Sequence, residues 1–250
     1  MTPFFFGPGE HHLFGVYHPP DAADRRSGVV LCYPLFMEYE HAHWPFRKLA
    51  VRLAHAGFHV LRFDYTGTGD SAGELEEGSL ATWRRDVGAA IDELKGLAGL
   101  RSVSLVGLRL GAALALEVAC ARKDVGDVVL WEPVVRGSRY LQELEDLEED
   151  RRRWSRHPVP RDENAVLGYP MVHGLRQDLS GLDLLGAADG FKGRVVMLAA
   201  DDRPDQRELA GQLEREARAI ELRIQPAAPS GALGDEVLRT LVAALQEGKV

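Results

Sequence analysis

Residues 104–116 read SLVGLRLGAALAL. Val103, Leu105 and Val106 supply a strand, Gly107 and Gly111 bracket a turn, and Ala112, Ala113 and Ala115 let a helix pack closely. The spacing is that of G-x-S-x-G, in which a strained strand-to-helix turn lifts a serine nucleophile above a sheet. Here Arg109 stands in the serine's place. A guanidinium keeps its proton and has no lone pair to attack with, so this position cannot supply the nucleophile. At a helix N-terminus, where the backbone dipole already favours anions, an arginine has three readings. It can hold a ligand carboxylate or phosphate through two parallel hydrogen bonds, sit in an internal salt bridge, or act as a catalytic electrophile.

Other reactive side chains carry weaker signals. MEYEHAHWPF offers Glu38, Glu40, His41 and His43. On a helix, two histidines two residues apart point to different sides, and no second ligand pair follows, so a metal site is not expected. FDYTGTGDSAG holds Gly67, Gly69 and Gly73, which do not match G-x-G-x-x-G, so a dinucleotide cofactor is not expected either. Asp64 and Asp70 are expected to brace that turn through backbone amides. Ser71 and Cys32 are candidates for a displaced nucleophile, Cys32 only if exposed and acidified. His157 and His173 follow much later in the chain.

These residues need elements to position them. At 250 residues and 45% hydrophobic, the chain can bury a full core, and its net charge of −8 argues against nucleic acid or an acidic membrane surface as partner. Two cysteines are too few for a disulfide framework. The first residues lack the basic region of a signal peptide, and no apolar run reaches the length of a membrane span, so a cytoplasmic protein is expected. Strands are expected near 3–6, 12–17, 28–33, 58–64, 102–107, 127–132, 194–199 and 219–225. Helices are expected over 43–56, 79–97, 109–122, 204–217 and 234–246, with Gly57, Gly96 and Gly126 at helix C-termini. Uniformly apolar strands such as GVVLCY imply a mostly parallel, doubly wound sheet of about eight strands covered on both faces. About 60 residues between the sixth and seventh strands exceed one crossover. Residues 136–188 are therefore expected to form a helical cap on a core of 1–135 and 189–250. Tyr140, Leu144 and Leu147 form one stripe there, and Glu143–Arg153 a solvated face.

GEHHLFGVYHPP, YPLFMEYE, FDYTGTGDSAG, VGLRLGA, WEPVVRGSRYL and VLGYP, in this order, resemble the α/β-hydrolase superfamily. The resemblance is to its serine aminopeptidase-like branch, and within that to the exosortase A system-associated hydrolases. It covers nearly the whole chain and implies an α/β-hydrolase fold with catalytic residues in the order Ser, acid, His. Arg109 replaces the serine, and no histidine occurs after His173, so the triad is degenerate. Asp201 and Asp202 stand at the acid's position. The resemblance also implies backbone oxyanion donors at Leu110 and at Leu35 or Phe36. Glu38, Asp202 and Glu132 are expected to face the same cleft as Arg109, with Glu38 its first partner and Asp202 next. Glu38 is alternatively an acid or base.

Three functions follow. The first is a degenerate hydrolase that binds or transforms a small anionic or acyl substrate through Arg109, Glu38 and Asp202, with Leu35, Phe36, Leu110 and Glu132 lining the site. The second is a non-catalytic binding or scaffold protein, as a homodimer or beside a partner hydrolase. The third is a hydrolase with a displaced nucleophile. None calls for a cofactor.

Overall fold

Short β-branched and aromatic runs form the strands, and alanine- and leucine-rich segments of helical period form the helices between them. A computed structural model describes residues 1–9, 11–21, 23–155, 162–187, 190–216, 219–225 and 234–248. The chain begins with β1 (Thr2–Phe6), β2 (Leu13–His18), β3 (Gly28–Cys32), α1 (Met37–His55) and β4 (His59–Phe63). After a 3-10 turn at Leu75–Glu77 come α2 (Leu80–Ala98), β5 (Val103–Leu108), α3 (Leu110–Ala121), β6 (Val125–Trp131) and α4 (Gly137–Trp154). A two-strand hairpin, β7 (Ala165–Val166) and β8 (Tyr169–Pro170), precedes α5 (His173–Gly181) and α6 (Leu184–Ala187). The chain closes with β9 (Arg194–Ala200), α7 (Pro204–Glu216), β10 (Ala219–Gln225) and α8 (Asp235–Glu247).

Eight strands form one sheet in the order β1-β2-β4-β3-β5-β6-β9-β10. β2 is antiparallel to both β1 and β4, and every other pair is parallel. Every residue of β3, β4 and β5 is buried, which requires cover on both faces, because successive side chains point to opposite sides. The strand order turns about β3, with β4 on one side and β5 on the other. A crevice opens past the carboxyl ends of strands at such a point. Phe36 follows β3 there, and Arg109 follows β5.

Three boundaries differ from the sequence reading. α1 starts at Met37 rather than 43, which brings Glu38 into its first turn. Pro45 lies inside this helix; a proline favours a first turn, so the sequence places the start too late. Gly96 lies within α2, whose left-handed C-terminal residue is Gly99 (φ 62°), and Gly126 lies within β6.

Candidate functional site

β5 feeds α3 through a single residue, Arg109, at φ 54° and ψ −117°. A non-glycine residue in this conformation is strained by about 1–3 kcal/mol. The flanking glycines make the turn possible. A Cβ on Gly107 would stand 2.4 Å from the Gly111 carbonyl oxygen, and one on Gly111 2.2 Å from that of Tyr33. The amide of Arg109 donates to Trp131 at 2.9 Å, and its carbonyl accepts from Val134 at 3.1 Å, tying the turn to the end of β6. The elbow of a serine hydrolase is thus built in full around an arginine.

The side chain of Arg109 is 12% exposed and lies between two carboxylates. Its Nε donates to Oε1 of Glu38 at 2.8 Å and one Nη to Oε2 of Glu143 at 2.7 Å. Its guanidinium carbon sits 5.4 Å from the centre of the Tyr140 ring. The Tyr140 hydroxyl donates to the other Glu38 oxygen at 2.9 Å. Glu143 is held further by Arg203, at 3.1 Å through Oε2 and by a short contact to Oε1, and by Arg139 at 3.5 Å. Arg139 also reaches Asp205 at 3.2 Å. Three cations face three carboxylates, so the cluster is balanced in charge.

Burial opposes charge on Arg109, but Glu38 and Glu143 outweigh it and hold its pKa above the ordinary range. Burial works against Glu143 as well, yet Arg203 and Arg109 hold its carboxyl below the ordinary value of 4.5. Burial, reinforced by Glu38, keeps the Tyr140 phenol protonated. The guanidinium is a fixed charge, and each oxygen of Glu38 carries a donor, leaving no group here in the state of a ready base or nucleophile.

The structure brings Arg109 and Glu38 together and corrects their company. Asp202 is exposed in the turn after β9, and that turn presents Arg203 to the cluster instead. Glu132 occupies a left-handed corner after β6 (φ 43°), where its amide donates to Leu198. Among the described residues, Arg109 has ion pairs with neither Asp202 nor Glu132. Glu143 leaves the solvated face on which the sequence puts it. Tyr140 and Leu144 are buried as the stripe requires, whereas Leu147 is 40% exposed. Tyr140, Glu143 and Arg203 are the residues sequence reasoning missed. For the first two the available signal was their i, i+3 spacing on α4, which puts both on one face.

Leu35, Phe36 and Leu110 are buried, and Phe36 is itself at φ 58°. Leu110 opens α3 and Phe36 precedes α1, so both amides stand ahead of the first intrahelical hydrogen bonds. Neither displaced nucleophile survives. Cys32 is fully buried, and burial pushes its thiol up to about 12. The Ser71 hydroxyl accepts from the Phe14 amide and donates to the Asp64 carbonyl, bracing its turn. Asp64 accepts from the Asp70 amide as expected, but the second brace is Asp86 of α2, on the Thr66 amide, rather than the exposed Asp70. His173 is exposed at the start of α5, and His157 lies outside the described residues. Among the described residues, no group of three or more histidine, cysteine or acidic side chains could hold a metal.

Comparison with known proteins agrees with this geometry. The sequence profile of the serine aminopeptidase family, S33, matches residues 38–163, half of the chain. Human palmitoyl-protein thioesterase ABHD10, mitochondrial, is 43% identical over 104 residues, 40% of this chain and 31% of that protein. The match thus spans about a third of the length of that curated relative. Alpha/beta hydrolase domain-containing protein 10 from mouse superposes over 99% of this chain and 98% of its own, with TM-score 0.66 and 16% identity. Est1E from Butyrivibrio proteoclasticus, bound to ferulic acid, covers 98% and 96%, with TM-score 0.68 and 15% identity. Sheet order, elbow geometry and the matched profile concur: the chain is an α/β-hydrolase of the serine aminopeptidase family.

Proposed function

We propose that this chain is a non-catalytic member of its family, a binding or scaffold protein on a hydrolase frame. The observation that carries this reading is the run Tyr140–Glu38–Arg109–Glu143, which occupies the elbow with hydrogen bonds of 2.7–2.9 Å. An acyl-enzyme needs a nucleophile, a base and an acid in mutual contact. At this elbow the first is a guanidinium, and no histidine follows residue 173 in the sequence. Arg109 serves here to tie α4 to the core, and α4 with β7, β8, α5 and α6 acts as a cap pinned at that point.

A second reading is favoured by the relative named as a palmitoyl-protein thioesterase: an acyl-chain carboxylate lies in the cleft and takes the Glu143 position on Arg109. Such a ligand must displace a carboxylate already held by two arginines, which weighs against it. Neither cysteine is in a disulfide, and no helix among the described residues is long and apolar enough to cross a membrane. The setting proposed for it is cytoplasmic, with a second copy or a neighbouring hydrolase as partner.

A fluorophosphonate probe and p-nitrophenyl acetate test the main reading. Neither labelling nor turnover above a blank-protein control is expected. Arg109→Ser should also stay at background, because the base is still lacking. Labelling mapped to one residue, or turnover lost on its mutation, would overturn the proposal. Titration with palmitate tests the second reading: a rise in melting temperature that Arg109→Ala abolishes would favour it.

A further inference from the structure

β4 carries Arg62 near its carboxyl end, and Asp64 directly follows its last residue, Phe63. Arg62 is only 7% exposed, and no carboxylate lies within ion-pair distance of it among the described residues. Its Nε donates to Nε2 of His18 at 3.1 Å, and one Nη donates to the Tyr33 hydroxyl at 2.9 Å. Both partners are neutral. Burial, with the charge of Arg62 behind it, pushes His18 down to about 4, and burial raises the Tyr33 phenol. The other Nη has no hydrogen bond among the described residues. A buried guanidinium met only by neutral groups is an expensive arrangement unless an anion completes it.

Arg62 lines a cavity of about 270 Å³, shared with Phe14, Tyr33, Tyr39, His43, Asp64 and Asp70. Asp64 is 8% exposed and accepts from the Tyr39 hydroxyl at 2.8 Å and the Asp70 amide at 3.1 Å. Asp70 is exposed. One cavity therefore offers a guanidinium, two carboxylates and the His43 imidazole, with aromatic rings on its walls. A simple anion would meet Asp64 and Asp70, and a simple cation would meet Arg62. A molecule bearing both charges on neighbouring atoms satisfies both.

We infer that this cavity binds a free α-amino acid, its carboxylate on the open Nη of Arg62 and its ammonium on the Asp64–Asp70 side. The Phe14 and tyrosine rings take an apolar side chain. Among the described residues, none that lines this cavity shares a hydrogen bond or ion pair with Arg109.

Isothermal titration of the full chain with L-leucine, N-acetyl-L-leucine and L-leucinamide tests the assignment. Saturable binding of L-leucine is expected, with each capped derivative at least about tenfold weaker, because each removes one charge. Asp70→Asn alters an exposed side chain and should weaken leucine binding with an unchanged melting temperature; Arg62→Gln should abolish binding. No saturable heat with L-leucine or L-phenylalanine would overturn the proposal. So would capped derivatives that bind as well as the free amino acid, or leucine affinity unchanged in Asp70→Asn.

Discussion

Arg109 carries two separable burdens, a strained backbone and a charge held between carboxylates. Replacing it by alanine keeps the strain and leaves Glu38 and Glu143 facing each other without their shared cation. Such a loss is expected to lower stability by about 3 kcal/mol in urea denaturation. Arg109→Gly removes the same charge but relaxes the φ of 54°, and should be more stable than the alanine variant by about 1 kcal/mol. Equal stabilities would mean that the turn stores no strain. Much of this was readable beforehand. Two glycines four apart around an arginine, between a β-branched run and an alanine-rich run, define the elbow locally. Glu38 was reachable because one loop of the resembled fold faces that turn. Glu143 was not, since a glutamate inside an acidic and basic run reads as solvated, and only its distant arginine partners, 34 and 60 residues away, bury it.

α4 meets the elbow through Tyr140 and Glu143, and its hold is pH-dependent in a definite direction. The folded-state pKa of Glu143 lies below its ordinary 4.5, so its contribution is complete above that value. The contribution is lost as pH falls through 4.5 toward the folded-state pKa, because the unfolded chain binds the proton first. Stability measured against pH should therefore drop less steeply below pH 4.5 in Glu143→Gln than in the parent. Identical slopes would remove Glu143 from the clamp. The same element shows where sequence periodicity stops. It selects a stripe of Tyr140, Leu144 and Leu147, but the stripe's last member is left 40% exposed. The start of α1 was missed for a related reason: Pro45 signals a first turn, yet the helix reaches back past it to Met37, with Ala42 fully buried on the added turns.

At the scale of the whole molecule, frame and chemistry part company. A mostly parallel sheet of about eight strands was legible in the alternation of apolar runs with helical segments, whereas the spatial order β1-β2-β4-β3-β5-β6-β9-β10 was not. The relatives' activity does not follow from the shared frame. Assayed with a palmitoyl thioester, the chain should release no thiol above a blank-protein control, and release sensitive to a fluorophosphonate would contradict this. One feature joins the two ends of the crevice. Glu38 and Tyr39 are consecutive in the first turn of α1, and they reach in different directions, one to Arg109 and the other to Asp64. One helical turn thus supplies a hydrogen bond to each of the two sites. If a molecule that tightens at Asp64 stiffens the attachment of α4, then by reciprocity a partner that pulls α4 away loosens whatever Asp64 holds.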